Sequence, residues 1–417
     1  MFDRRTRARI ARPCTLLMAI LSSAVAQAQP LTFEEALDEA AKNAPSIEAR
    51  SAQADAARSA AISAPQLPDP KIEVGVQDFP VTGPNAGRFD RDNFTMTKIG
   101  VSQAFPNPAK RQARRARAIA DIGAAEAAEQ VEARNVRVAT ATAWIELHFA
   151  ERRLAILKLL DDSVDDIAAT VSARLTSGSA RPSQALEPKQ LKAEIGDRRA
   201  GIVAEIAKAR AALTRWTGIG QPEATGPSPD WAVDPATLRA GIDALPSLRA
   251  LDAATVQAEA DVRLARADKR PDWEVRASYG RRDPDFGDLA SVGVSIDLPL
   301  FSKHRQNPLI AARTKDVDRA RLDRAAATRE AMATLDTDLA EHAMHHDRFW
   351  RARDVLVPLA RQRAELDRVG YAAGTVDLGT ALGTTFALAL AEIDALDREA
   401  GFAREVVRIN LTYGDDQ

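Results

Sequence analysis

The chain is poor in what most catalytic and disulfide-held proteins use. Cysteine occurs once, at Cys14, aromatic residues make up 5% of the 417 positions, and the formal net charge is only −2. So few aromatics exclude a thick aromatic core. The 45% of hydrophobic residues lean on alanine, leucine and valine, which suits long, closely packed helices. The near-neutral balance gives no global pull towards nucleic acid. No unbroken apolar run reaches the roughly 18 residues of a transmembrane helix. No nucleophile–base pattern, phosphate loop or metal-ligand set suggests catalysis, so neither an enzyme nor a cofactor is expected.

The start reads as a targeting segment. Arg4, Arg5, Arg7, Arg9 and Arg12 form a basic region, residues 14–25 are mostly apolar, and Ala24-Val25-Ala26 or Ala26-Gln27-Ala28 offers a cleavage site. Residues 1–28 are therefore expected to be a signal peptide. Cys14 leaves with it, so the mature chain has no disulfide, no thiol chemistry and no N-terminal cysteine to carry a lipid.

The rest is organised around residues 109–176, a helical run preceded by Pro108 and closed by Ser177-Gly178-Ser179, with Gly123 its only glycine. At 1.5 Å per residue it would reach roughly 100 Å, too long for one globular core, so other rods must pack along it. Before it come an alanine-rich helix (31–64), opened by the Thr32–Glu35 capping-box pattern, and two period-two segments (71–79 and 97–105) joined by a polar loop. After it come a turn and a return helix (183–216). Residues 218–235, rich in glycine and proline, read as a linker. Then the programme repeats: helix 238–269, strand segments around 273–279 and 291–298, a second rod 308–368, a Gly370–Gly374 turn and a return helix to about 411. Lys98-Ile99-Gly100-Val101-Ser102 matches Ser291-Val292-Gly293-Val294-Ser295, and Gly178 matches Gly374. The chain is thus read as an internal duplication: first repeat 29–217, linker 218–235, second repeat 236–417. Pro358, inside the second rod, should kink it.

Strands of this length with one apolar face suit the wall of a membrane barrel. Val74, Val76, Val292, Val294 and Ile296 are expected to face lipid, and Glu73, Ser295 and Asp297 the lumen. Phe79, Phe105, Trp273, Tyr279 and Phe301 stand near strand ends, where interfacial aromatic belts form. Four strands cannot close a membrane barrel, and an open edge in lipid leaves backbone groups unpaired, so several chains must share one. Eight, twelve and sixteen strands (dimer, trimer, tetramer) all satisfy that argument. The fold class expected is mainly α with a small shared β-barrel.

Along essentially its whole mature length the chain resembles the TolC family of outer-membrane efflux proteins. The carrying residues are Val294-Ser295-Ile296-Asp297-Leu298-Pro299-Leu300-Phe301 with Arg305, and Gln103-Ala104-Phe105-Pro106 before Lys110-Arg111. Arg174-Leu175-Thr176-Ser177-Gly178, Val357-Pro358-Leu359-Ala360 and Tyr371-Ala372-Ala373-Gly374 complete the set. The short N-terminal region, the 103–106 turn and the Pro358 segment look most like the heavy-metal (cobalt–zinc–cadmium) branch. The resemblance implies a homotrimer with a twelve-stranded barrel in the outer membrane of a Gram-negative bacterium and a helical periplasmic tunnel. It also implies two partners, a periplasmic adaptor and an inner-membrane RND-type pump, and no nucleic acid. The expected function is a passive exit channel for heavy-metal cations. A duct for drugs or secreted proteins, or a soluble periplasmic coiled-coil scaffold, are the alternatives.

In the family, aspartates on the return helix near the tip gate the tunnel. Here only Asp377 is acidic in that stretch, earlier than usual, with Thr380 at the usual position. The resemblance also implies that Gly178, Ser183, Gly374 and Thr375 at the two tips receive the adaptor. His342, His345 and His346 share one face of the second rod, a spacing that can hold Zn²⁺ or Cu²⁺, although a solvated helix surface is the plainer reading. Asp161, Asp162, Asp165 and Asp166 form an acidic patch, read as a charged helix face or as lumen-lining acid.

Overall fold

Asn107 and Pro108 start the longest element. The Asn107 side chain accepts from the backbone N–H of Lys110 at 2.8 Å, and Pro108, with no N–H to lose, occupies the first helical turn. The helix then runs unbroken over Pro108–Thr176 and stops at Gly178, whose φ of 76° is left-handed. A computed structural model describes residues 29–178 and 181–414. The expected signal peptide with Cys14, and Ser179 of the first tip, lie outside the described residues.

In chain order the elements are β1 (Gln29–Leu31), α1 (Phe33–Asn43), α2 (Pro45–Ser63), β2 (Lys71–Gln77), β3 (Met96–Phe105) and α3 (Pro108–Thr176). There follow α4 (Glu187–Thr217), β4 (Pro222–Ala224), α5 (Pro235–Ala240), α6 (Pro246–Ala267), β5 (Asp272–Arg281) and β6 (Leu289–Asp297). The chain ends with α7 (Gln306–Arg351), α8 (Val357–Ala373) and α9 (Leu378–Tyr413).

Three sequence expectations change, and the disturbance expected at Pro358 takes a specific form. The helix expected over 31–64 is two helices, because Pro45 fits the first turn of a helix but not its interior. Its Thr32 cap is present as expected: the Glu35 N–H donates to Thr32 Oγ1, and Thr32 N–H donates to the Glu35 carboxylate at 2.9 Å. The helix expected over 238–269 is likewise divided into α5, a 3₁₀ turn (Ile242–Ala244) and α6, restarted by Pro246. The expected linker is structured: β4 pairs in parallel with β1. The second rod is divided at residues 352–356 by a π turn just before Pro358. Pro358 has no N–H for the carbonyl of Asp354 and its ring crowds that oxygen, so the ladder widens there.

Packing centres on α3. Its second half buries Trp144, Leu147, Leu157, Leu160 and Val164 against Leu191, Ile195, Ile206 and Leu213 of α4 and Leu378, Leu382 and Val407 of α9. Each such side chain contributes on the order of 1.5–3 kcal/mol. At the rod's midpoint Trp144 Nε1 donates to Leu31 O at 2.8 Å, which also accepts from Thr225 N at 3.0 Å. Phe33 stands edge-on to both Trp144 and Trp231, with centroids 5.5 Å apart. The second half of the chain has its own knot, Leu335 of α7 buried among Leu238, Ile242, Leu248, Ile409 and Tyr413. The short helices meet end to end beside the rods: Asn43 Nδ2, closing α1, donates to Thr217 O, closing α4, at 3.4 Å. α7 and α8 are covered on one side only, burying Val317, Leu335, Asp338 and Ala364 while leaving Leu322, Leu359 and Leu366 exposed. α9, alone among the described helices, is long and apolar enough by length and composition to cross a membrane; it packs lengthwise against α3, α7 and α8.

Candidate functional site

Two hairpins, one from each repeat, join through β3 and β5 into one antiparallel sheet of order β2-β3-β5-β6. Its register decides the faces. Val74 lies opposite Ile99, Ile99 opposite Tyr279, Val101 opposite Ala277, and Ala277 opposite Val292; Val275 faces Val294 and Trp273 faces Ile296. The valines and isoleucines expected on one side of each strand therefore form one continuous apolar face across all four strands. Among the described residues nothing covers that face: Val74, Val292, Val294 and Ile296 are all exposed. The opposite face carries Glu73 across from Gly100, Lys71 across from Ser102, and Ser295 across from Glu274. Arg276 Nε donates to Glu274 at 2.5 Å, and Glu73, Gln77, Lys98, Ser102 and Arg276 line a polar concavity of about 260 Å³. Gly100 lets β3 approach β5 closely; a Cβ there would lie 3.2 Å from Ser278 Cβ. Among the described residues β2 and β6 have no neighbour on their outer edges, so their backbone groups are available to other strands.

The sheet is bolted to the helices at one end. Asp272, opening β5, accepts from the N–H and Nδ2 of Asn107 at 2.8 Å each and from Lys110 Nζ at 2.8 Å; Lys110 also pairs with Asp268 at 2.9 Å. Sequence reasoning missed this junction, although Asn-Pro before a helix is a recognisable cap signal. Asp297 stands opposite Asp272 at the same end. Glu73 is thus mid-strand and Asp297 basal, and the two are not brought together.

The tip candidates lie at the far ends of the rods. Gly178 and Gly374 both take the left-handed conformation, with φ of 76° and 78°. Thr375 N–H donates to Gly370 O at 2.9 Å and Thr375 Oγ1 to the same oxygen at 3.1 Å. Ser183 lies in the 3₁₀ turn Pro182–Ala185, and Gly178, Ser183, Gly374 and Thr375 are all exposed. The two return helices start side by side, since a Cβ on Gly379 would come 3.5 Å from Glu187 Oε2 of α4. Asp377 caps α9: its carboxylate accepts from Thr380 Oγ1 at 2.7 Å and Thr380 N–H at 3.0 Å. These bonds hold the carboxyl below its ordinary pKa.

The histidines are placed differently from a ligand set. His342 and His346 pack their rings on Phe402 of α9, with centroids 5.4 and 5.7 Å away, and His345 lies against Gly401. Burial there, then the charge of His346, holds His342 below its ordinary pKa. Among the described residues no three His, Cys, Asp or Glu side chains converge on a metal position. In the acidic patch Asp161 pairs with Arg199 at 2.5 Å and Asp165 with Lys192, both on α4. Sequence reasoning also missed an ionic network between α7 and α9. Arg408 donates to both oxygens of Asp338, at 2.7 and 2.9 Å, and to Glu405 at 2.6 Å, while Tyr413 OH donates to Asp338 at 3.0 Å.

Residues 242–414 match the family described as "Outer membrane efflux protein", which is nearly the whole second repeat. No curated protein matches the chain. Solved structures similar to it include a membrane protein from Pseudomonas aeruginosa, at TM-score 0.78 and 17% identity over 92% of this chain and 90% of that one. The Campylobacter jejuni CmeC outer membrane channel has TM-score 0.76 and 13% identity, covering 92% of this chain and 85% of its own. CusC, described through its folding and transmembrane channel formation, has TM-score 0.75 and 15% identity, with 92% of each chain covered. The chain has the fold of these channels over 92% of its length.

Proposed function

We propose, from the family match of residues 242–414 and the channel fold of the chain, that this chain is the outer-membrane exit channel of a tripartite efflux system. The observation that carries this reading is the four-stranded sheet with one continuous apolar face uncovered among the described residues, one polar face and two open edges, fixed to a helical rod about 100 Å long. Such a sheet is stable in a bilayer only as part of a closed barrel, because an open edge in hydrocarbon leaves several donors and acceptors unpaired. Three chains give twelve strands, and the uncovered side of α7 and α8 offers a second surface through which the copies close. The channel is passive, works with a periplasmic adaptor at the Gly178, Ser183, Gly374 and Thr375 tips, and receives its cargo from an inner-membrane RND-type pump. Heavy-metal cations are the cargo we favour, on the Gln103–Pro106 and Pro358 motifs and the acidic groups Glu73 and Asp297.

Cross-linking of the folded protein in detergent, after membrane fractionation, tests the reading: the expected product is a trimer from the outer-membrane fraction. Recovery from the soluble periplasm, or a monomer with intact strand content, would overturn it. Loss of resistance to zinc, cobalt or cadmium on deletion, restored by the wild-type chain, tests the cargo.

A further inference from the structure

The two repeats leave the sheet by different routes. In the first, β3 passes into α3 through residues 106 and 107, whereas β6 reaches α7 only after residues 298–305. Two residues suffice for the step, so the longer passage is not required by geometry. It is nevertheless ordered: His304 and Arg305 donate backbone N–H groups to Phe301 O at 3.1 and 3.2 Å, and Asn307 N–H donates to Ser302 O at 2.8 Å. That folded turn leaves its large apolar side chains bare, with Leu298 60%, Leu300 76% and Phe301 70% exposed. Lys303, His304 and Arg305 follow after Ser302 and are exposed as well. Among the described residues neither Lys303 nor Arg305 stands in an ion pair.

Its position gives this series of three apolar and three basic residues a meaning. Leu298 continues the period of two set by Val292, Val294 and Ile296, so the turn extends the apolar face of the sheet at the end where the rods attach. Beside it a concavity of about 480 Å³ is lined by Arg270, Arg305 and Gln306 together with Asp297 and the Lys110–Asp268–Asp272 cluster, so its charges balance and the free cations are those of the turn itself. Gln306 Oε1 is buried there without a hydrogen-bond partner. An apolar prong followed by cations at the edge of a lipid-facing wall matches the order met on leaving a bilayer, acyl chains first and phosphates next.

We propose that residues 298–305 are a docking surface for phospholipid of the leaflet nearest the rods. Leu298, Leu300 and Phe301 enter the acyl boundary, and Lys303, His304 and Arg305 hold headgroup phosphates. This rests on the sheet being a membrane wall. The test uses the full chain carrying Cys14→Ser, with a polarity-sensitive fluorophore on Leu300→Cys or, separately, on Val294→Cys. Both are reconstituted in phosphatidylethanolamine–phosphatidylglycerol vesicles containing shallow or deep lipid quenchers. The Val294 label should be quenched best by the deep quencher. The Leu300 label should be blue-shifted and quenched best by the shallow one, and Lys303→Gln with Arg305→Gln should lessen the quenching at 300 alone. A blue-shifted but unquenched Leu300 label beside a quenched Val294 label means a second copy of the chain covers the prong, and overturns the proposal. So does an unshifted label, which means water. Full quenching at 300 in the Lys303/Arg305 variant removes the phosphate contacts. An unquenched Val294 label removes the membrane wall itself, and the prong with it.

Discussion

Arginine at position 294, set against arginine at position 295, is the sharpest test of the sheet's two faces. Val294 is the sixth of the nine residues of β6, lies opposite Val275 and is 59% exposed in the single chain. If that face meets lipid near the midplane, an arginine there costs about 2–4 kcal/mol per copy. Three copies share the barrel in a trimer, so the assembly loses about 6–12 kcal/mol by the same scale. That approaches the whole net stability of an ordinary domain, about 5–15 kcal/mol, and nearly all assembled protein should be lost. Ser295 points the other way and lies opposite Glu274. A guanidinium there stays in water beside a carboxylate, so its effect should fall within about 1 kcal/mol. The assay is the amount of heat-dissociable trimer in the outer-membrane fraction at matched expression. Normal assembly of Val294→Arg with loss of Ser295→Arg would mean the faces are inverted. Normal assembly of both would remove lipid from either face.

Further outcomes follow from the tips and the rods. Gly374→Ala and Gly178→Ala meet no atom within 4 Å, so their cost is left-handed strain of about 1–2 kcal/mol confined to the turn. Trimer yield should hold while adaptor pull-down and toxic-metal resistance fall; unchanged adaptor binding would sink the docking role. Asp377 titrates below its ordinary value in the folded chain, so its cap is fully present above the unfolded carboxyl value, about 3.9, and is lost as pH falls through the lowered one. Protection of the Thr380 amide, taken relative to its intrinsic exchange rate at each pH, should therefore hold from neutral pH down to about pH 4 and fall below it, whereas Asp377→Ala should lower it at pH 7; equal protection in that variant would refute the cap. Arg408→Ala leaves Asp338 and Glu405, with side chains only 7% and 10% exposed, without their cation. The expected loss is about 3–5 kcal/mol, read as a lower midpoint of thermal inactivation with Arg408→Lys in between, and an unchanged midpoint would mean the network does not hold α7 to α9.

What could be read from the sequence was what local chemistry encodes. Pro108 and Gly178 bound the long rod because each fits one end of a helix and not its middle. The period-two valines announced both hairpins and their faces, and Thr32 with Glu35 announced a cap. Long-range pairings were not legible. Nothing in Gln29–Leu31, three residues with a proline among them, points to a partner some 190 positions away. The ionic network joins Asp338 to Arg408, 70 residues apart, on separate helices. The histidines share a face as their spacing requires, but Phe402 and Gly401 on another helix decide what that face meets. Asp377 and Thr380 carried a local signal that was there to use, since an acidic residue three before a threonine at a helix start is a cap pattern. Residues 238–269 misled because leucine spacing runs across Pro246 without a break in period.

The parallel pairing of residues 29–31 with 222–224 also sets a timetable. A chain made N-terminus first at about 5–20 residues per second cannot form this pair until residue 224 has appeared. From then on the first repeat holds both halves of its own fastening, with Trp144 already waiting to donate to Leu31. The second repeat is fastened through Ile409 and Tyr413, which arrive roughly 10–40 s later at that rate. The lower core around Leu157 and Leu160 includes Leu378, Leu382 and Val407 of α9, so it is complete only when the last helix is present. The two fastenings therefore differ in reach: the pairing of residues 29–31 with 222–224 needs only the first 224 residues, whereas the knot at Ile409 and Tyr413 needs nearly the whole chain.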